Sequence, residues 1–347
     1  MQTPGAHARD GSEGESNIVR VDPQAEPERI RFERDVCRGL GRTPKALSSM
    51  YFYDARGSEL FRRIMELPEY YVTGVEREIV EQHGARIVAP LLDADCEVID
   101  LGAGDGLKAR ILLQHFRTAS GAVRYLPVDV SVDSLRTVLA VTHKQQPWLP
   151  SQGIVADYAG AIRWLGEHDP WRRRLVLLLG SNIGNLARAP ARRFFRSLRR
   201  ALRPGDHVLV GFDLVKDVDV LQAAYDDSAG VTAEFNLNLL RRINRELDGD
   251  FRLDRFRHFA AFSPLHGAME SYLVSTTEQS VRVAGQRFHF EPWEAIRTEM
   301  SCKYRIAEVS AFASDAGFVE VEHYFDERRF FVDALFAVPP DAAGSRQ

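Results

Sequence analysis

The sequence predicts an α/β fold, a doubly wound parallel sheet interrupted by a second, α+β lobe. Three observations carry this expectation. From residue 97 to residue 212, short apolar runs alternate with segments of helical period at regular intervals. Beyond residue 213 the alternation stops, and helical segments are followed by hairpin-like strands. The first run of the alternating region, Glu97-Val98-Ile99-Asp100-Leu101, leads into Gly102-Ala103-Gly104-Asp105-Gly106 and then directly into a helical pattern. Strand, glycine-rich turn and helix in that order mark the ligand edge of a nucleotide-type sheet.

The elements follow in order. Ile30 to about Ile64 reads as interrupted helix, with Pro44 and Gly57 as punctuation. Val75 to Leu92 has helical spacing and ends near Pro90. After the glycine turn come a helix from Leu107 to Phe116, a strand from Val123 to Val130, and a helix through Leu135 and Leu139. A third strand lies near Gly153 to Val155, a helix around Ile162 to Leu165, and a fourth strand at Leu175 to Leu179. The helix Ala191 to Leu202 stops at Pro204-Gly205, and His207 to Phe212 is a fifth strand. Leu221 to Asp248 reads as one or two helices, Phe256 to Phe290 as antiparallel strands, and Glu308 to Ala316 as a helix. Phe318 to Tyr324 and Phe330 to Val338 resemble a closing hairpin. The expected division is a disordered tail at 1–28, a substrate-binding domain at 29–73 plus 213–300, a sheet domain at 74–212 plus 301–338, and a second tail at 339–347.

Composition limits the function. Of 347 residues, 45% are hydrophobic and 27% charged, an ordinary globular balance long enough to bury a core without disulfides. A net charge of −4 provides no global field for nucleic acid or anionic lipid. The seven arginines from Arg188 to Arg203 surround Phe194, Phe195, Leu198 and Leu202, as on the solvated face of an amphipathic helix. Apolar runs fall far short of the roughly 20 residues a membrane helix needs. Cys37, Cys96 and Cys302 are odd in number and far apart, and none of the ten histidines lies within four residues of another, so neither disulfides nor a metal site is expected. The N-terminus lacks the apolar stretch of a signal peptide, and a cytoplasmic monomer acting on a small molecule is the expectation.

The chemistry concentrates at strand ends. A dinucleotide fingerprint would place its third glycine at position 107, which is Leu107. The turn therefore suits S-adenosylmethionine (SAM), which has no phosphate, better than a dinucleotide. Asp129 ends the next strand, where an acid can accept from ribose hydroxyls. Asp157-Tyr158 follows the third, where an adenine would find an acceptor and an aromatic neighbour. Clustered tyrosines in Tyr51-Phe52-Tyr53-Asp54 and Leu67-Pro68-Glu69-Tyr70-Tyr71 can be core or can surround an ammonium. Gly180-Ser181-Asn182-Ile183-Gly184-Asn185 brings two amides to the ligand edge, unless they only cap the next helix.

These islands, with Asp213-Leu214-Val215-Lys216-Asp217, Ala224-Tyr225-Asp226-Asp227, Phe235-Asn236 to Asn244-Arg245-Glu246-Leu247 and Thr298-Glu299-Met300-Ser301-Cys302-Lys303, resemble the histidine Nα-methyltransferases of ergothioneine biosynthesis from about residue 33 to 337. The resemblance implies a Rossmann-like SAM-dependent methyltransferase domain with an inserted α+β substrate-binding domain. It implies SAM binding by Gly102, Lys108, Asp129, Asp157 and Tyr158. It further implies that Tyr70 and Tyr225 hold the substrate carboxylate, Asn185 its α-amino group, and Glu299 and Ser301 the imidazole, with Tyr53 near the reacting nitrogen. The expected product is the trimethylated betaine of L-histidine, hercynine. Two departures stand out. The family's Glu-Leu-Gly-Ser-Gly-Thr-Ser-Glu-Lys turn is Asp-Leu-Gly-Ala-Gly-Asp-Gly-Leu-Lys here, and a methionine the family places against the imidazole aligns near Ser271. A pocket altered at Ser271 leaves open methylation of another amino acid or small amine, and a non-catalytic SAM-binding module is the third reading.

Overall fold

In the computed structural model, residues 17–21, 26–168 and 172–340 are described. The chain opens with β1 (Ile18–Arg20), which lies parallel to β5 further on, Ile18 opposite Gly153. This corrects the expectation of disorder up to residue 28. Ile18 and Val19 are β-branched, and an unpaired sheet edge gives them backbone partners that local composition does not reveal. Apart from 17–21, 26–28 and 339–340, both expected tails lie outside the described residues.

Then come α1 (Glu28–Leu40), β2 (Lys45–Ala46), a 3-10 turn at Ser49–Phe52, α2 (Ala55–Met65) and α3 (Tyr71–Val88). Gly57 is not punctuation, because it lies inside α2. Its amide caps the helix by donating to Asp54 at 2.7 Å, and a Cβ there would collide with the Phe52 carbonyl. The alternating region gives β3 (Cys96–Leu101), α4 (Leu107–Leu113), β4 (Val123–Asp129), α5 (Val132–Gln145), β5 (Gly153–Val155), α6 (Tyr158–Glu167), β6 (Arg173–Leu178), α7 (Arg188–Ala201) and β7 (His207–Asp213). Helices α8 (Val218–Tyr225) and α9 (Val231–Glu246) precede β8 (Phe256–Ser263), β9 (Ala268–Ser275), β10 (Gln279–Val283), β11 (Gln286–Phe290) and β12 (Ala295–Cys302). The described chain closes with α10 (Ile306–Ala316), β13 (Val319–Phe325) and β14 (Phe331–Ala337).

Among the described residues, eight strands form the main sheet in the order β1-β5-β4-β3-β6-β7-β14-β13. It is parallel except for β14, which runs antiparallel to both β7 and β13. Every residue of β3 is buried because helices cover both faces. Val98 packs towards Ile79 of α3 and Leu112 of α4, whereas the next residue, Ile99, packs towards Leu165 of α6 and Leu198 of α7. That one-residue alternation explains the unbroken apolar runs in the sequence.

A second sheet, β2-β12-β9-β8, shares a core with α1, α2 and α9. Phe32, Leu60, Phe235, Leu239, Leu273 and Ile296 meet there, fully or nearly fully buried. The chain passes from this sheet to the main one just after β12, where the Tyr304 amide donates to the Asp213 carbonyl at 2.9 Å. Glu299, Ser301 and Lys303 therefore lie at the seam, beside the carboxyl end of β7.

Candidate active site

The end of β3 makes one wall. Gly102 donates to the Val128 carbonyl at 2.8 Å and has a φ of 75°, a left-handed conformation that glycine adopts without strain. A Cβ at this position would stand 2.9 Å from the Tyr158 hydroxyl and 3.1 Å from Asn182 Nδ2, so only bare backbone fits. Beneath it, Asp100 is buried and accepts from the Tyr125 hydroxyl at 2.8 Å; burial pushes its carboxyl up to about 6. Asp129 ends β4 and accepts from the Ser131 amide at 2.9 Å. Burial pushes its carboxyl up, opposed by the backbone amides around it.

Two expected cofactor residues have prior engagements. The Asp157 carboxylate caps α6 through the Gly160 amide at 2.8 Å and pairs with Arg31 of α1 at 3.1 Å. Its side chain is not the open acceptor that the sequence reading pictured. The Lys108 ammonium is ion-paired to Glu76, a fully buried carboxylate that also accepts from the Gly180 amide at 2.7 and 2.8 Å. Lys108 thus ties the glycine turn to the Gly-Ser-Asn-Ile-Gly-Asn loop. Asp333, also fully buried, adjoins this pair, and burial followed by Glu76 pushes its carboxyl well above the ordinary range.

The opposite wall comes from the second lobe. Tyr53, two residues after the buried Tyr51, is 39% exposed, so the two tyrosines of one island divide between core and cleft. The Tyr53 hydroxyl lies within electrostatic reach of Glu299, Tyr158, Tyr225 and Asp129, and Tyr70 feels Tyr225, Tyr53 and Glu299. Loss of water around Tyr70, then these neighbours, pushes its phenol up. Residues from α8, β12, α6 and the chain before α2 and α3 therefore gather within electrostatic reach of one another, on the side of the glycine turn that Tyr158 touches. Asn185 ends a 3-10 turn, Asn182–Asn185, and is exposed; the preceding Gly184 abuts the backbone of Cys302.

Ser271 of β9 stands directly opposite Glu299 of β12, and its hydroxyl donates to Glu299 Oε2 at 3.4 Å. Burial pushes the Glu299 carboxyl up, with Lys303 and the Ser271 hydroxyl pulling the other way. Behind Tyr225 and Ser301 lies a buried ionic network. Asp213 accepts from Lys303 at 2.7 Å, from Lys216, and from the Tyr71 hydroxyl at 2.9 and 2.8 Å. Burial would raise the Asp213 carboxyl, but the two lysines outweigh it and hold it below its ordinary value; burial brings Lys216 down to about 8.

The sequence reading did not single out Glu76, Asp213, Lys216, Lys303 or Asp333 as site residues. For Glu76 a signal existed: an acid sits among Val75, Ile79 and Val80 in a helix whose buried residues include all four.

A glycine-turn sheet facing an acidic and aromatic cleft is the architecture of a SAM-dependent methyltransferase. The family model described as histidine-specific methyltransferase, SAM-dependent, matches residues 32–338, and the chain belongs to this family. It is 41% identical over 313 residues to the histidine N-alpha-methyltransferase of Mycolicibacterium smegmatis, covering 90% of this chain and 95% of the relative. The histidine N-alpha-methyltransferase of Mycobacterium tuberculosis is 39% identical, with 89% and 95% covered. Ergothioneine biosynthesis protein 1 of Neurospora crassa is 29% identical over 81% of this chain and 32% of that longer protein.

Proposed function

We propose that the protein methylates the α-amino nitrogen of L-histidine three times, forming hercynine as in ergothioneine biosynthesis. The observation that carries this reading is the convergence of Tyr53, Tyr70, Tyr225 and Glu299 on one cleft beside the glycine turn. The similarity to histidine N-alpha-methyltransferases over nine-tenths of the chain supports it.

The cradle over Gly102 fits an unphosphorylated cofactor. Gly102, Lys108, Asp129, Asp157 and Tyr158 would hold SAM, Asp157 by its place at the start of α6 because its carboxylate is engaged. When bound, SAM supplies a sulfonium methyl already activated towards a neutral amine. The chain's task is alignment, which can lower a barrier by several kcal/mol, up to roughly 7–11, without further chemistry. Tyr70 and Tyr225 would clamp the substrate carboxylate, Asn185 would orient the amine lone pair, and Glu299 and Ser301 would hold the ring. Tyr53 would stand near the reacting nitrogen, where its hydroxyl can orient the amine and, through water, is the candidate to take up its proton. As methyls accumulate and nitrogen loses its donors, tyrosine faces can still stabilise the cation.

Domain division follows the same reading: a substrate lobe from 29 to about 70 plus 213–300, ending before Tyr71 and Val72, which pack in the main core. Among the described residues no helix is long and apolar enough to cross a membrane. A cytoplasmic monomer is proposed, since one chain supplies every wall of the cleft.

A second reading has one observation in its favour: Ser271 replaces an apolar neighbour of the ring with a hydroxyl bonded to Glu299. It makes the acceptor another amino acid or small amine. Mass spectrometry of products from a panel of amino acids with SAM decides between them. Histidine leading by tenfold or more supports the first reading, a different leading acceptor supports the second, and absence of S-adenosylhomocysteine with every acceptor rejects both.

A further inference from the structure

We infer that Lys303 is a positioning residue that makes the Tyr225 and Ser301 hydroxyls donors towards the bound amino acid, so that the cleft selects a ligand presenting two acceptors, a carboxylate oxygen and an unprotonated ring nitrogen. The inference rests on the assignment of Tyr225 and Ser301 to the substrate made above.

Lys303 is fully buried and touches three acceptors: Asp213 Oδ2 at 2.7 Å, the Tyr225 hydroxyl at 2.8 Å and Ser301 Oγ at 2.9 Å. An ammonium has three N–H groups and no lone pair, so its capacity is committed in full. Each hydroxyl oxygen has therefore already accepted one hydrogen. The two oxygens are 2.7 Å apart, with Tyr225 donating to Ser301. Ser301 Oγ then receives two hydrogens, and its own proton is the one left to point elsewhere.

A ligand with acceptors draws out both hydroxyl protons, and the Lys303 bonds keep both oxygens in place while the Tyr225–Ser301 bond opens. A ligand offering N–H groups to the same two oxygens finds one lone pair on each already held by Lys303, and the remaining one on Ser301 taken by Tyr225 while that bond stands, so acceptance from the ligand is the weaker option. On the other side of the ring, Glu299 accepts an N–H. The imidazole is thus read as a neutral ring with one N–H and one lone pair.

Charge points the same way. Lys216 spends its own donors on Asp213, the Tyr71 hydroxyl at 2.9 Å and the Leu214 carbonyl at 2.6 Å. Two ammonium groups pair with Asp213, while Asp326 acts on Lys216 and Glu299 on Lys303. The ammonium directly behind the Tyr225–Ser301 pair is that of Lys303, and in a low-dielectric site a cation there favours an incoming carboxylate. Lys303 needs no contact with the ligand to exert either effect.

The test compares L-histidine with L-histidinamide, which keeps the ring and amine but lacks the charged carboxylate. Calorimetry on the full chain saturated with S-adenosylhomocysteine measures both. In the wild type histidine should bind about 10- to 150-fold more tightly, the range of one charge-assisted hydrogen bond. Lys303→Met should shrink this preference below about threefold while leaving S-adenosylhomocysteine affinity within twofold. A variant that retains the wild-type preference overturns the inference. Tyr225→Phe, which keeps the ring and the lysine, should shrink it equally, so that a Lys303→Met protein that fails to fold does not end the test; an undiminished preference in Tyr225→Phe also overturns it. Ser301→Ala should weaken both ligands together and preserve their ratio. Should the wild type favour another amino acid over histidine, the substrate assignment fails instead, and the same comparison is made with that amino acid and its amide.

Discussion

Glu299 and Asp100 are both carboxyls raised by burial, yet they call for different experiments. Glu299 faces the cleft, where it would accept one ring N–H. Glu299→Ala is expected to weaken histidine binding about 10- to 150-fold, the value of a charge-assisted hydrogen bond, with SAM binding nearly unchanged. Equal losses for both ligands in calorimetry would reject the assignment. Asp100 lies under the turn, and burial moves its carboxyl from the ordinary 3.8 to about 6. The folded state therefore holds this proton more tightly than the unfolded chain does, and stability falls as pH rises from about 4 through 6. The gap corresponds to roughly 3 kcal/mol. Asp100→Asn, which can still accept from Tyr125, should match the wild type near pH 4 and exceed its stability above pH 6. Denaturation midpoints of the two proteins across that range check the sign; a constant difference would contradict it. At this scale the places of Gly102, Asp129 and Tyr158, at or just after the ends of successive strands, could be read from the sequence, because strand ends are marked locally. Asp213 and Lys303 stand in two of the islands that carry the family resemblance, but their partnership spans 90 residues and nothing local announces it.

The elements were legible wherever local pattern and burial agree. The alternating region, the two helices before β8 and the closing hairpin all formed where periodicity put them. The misses, β1, β2, the strand β12 that carries Glu299 and Ser301, and the role of Gly57, arise from long-range pairing and close backbone approach, which periodicity does not encode. Arg174 shows how much one side chain can do for neighbouring elements. It is fully buried in β6 and donates to the carbonyls of Leu165 at 2.8 Å, His168 at 2.6 Å and Ala201 at 3.2 Å, at the carboxyl ends of α6 and α7. These carbonyls have no helical partner of their own, and a cation there also suits both helix dipoles. Arg174→Met should cost about 3–5 kcal/mol, because it leaves these carbonyls unsatisfied and removes the cation that stands 4.0 Å from the buried Glu97 carboxylate. Urea denaturation measures the loss, and SAM affinity of the folded protein should stay as it was. A loss below about 1 kcal/mol would show that water replaces the guanidinium.

At the scale of the molecule, the two sheets share part of a core, since Leu221, Ala224, Tyr225, Ala260 and Met269 pack with the main sheet, and the crossing after β12 brings Glu299, Ser301 and Lys303 to the end of β7. Each ligand should then mark its own wall. SAM is expected to slow amide exchange in residues 100–108, and histidine in residues 295–303, with both sets slowed when both ligands are present. Histidine protection confined to regions outside 295–303 would separate the ring-binding residues from the cleft. By itself the sequence determined the doubly wound sheet, the glycine turn and the strand ends at which the proposed ligand residues stand, because period, turn chemistry and strand ends are local properties. Tertiary structure alone decided that Lys108 answers to Glu76, that Asp157 is already engaged, that Ser271 bonds Glu299, and that one buried lysine orients two hydroxyls. Those outcomes depend on which charges and lone pairs share a space that water does not enter, and only the packed chain specifies that space.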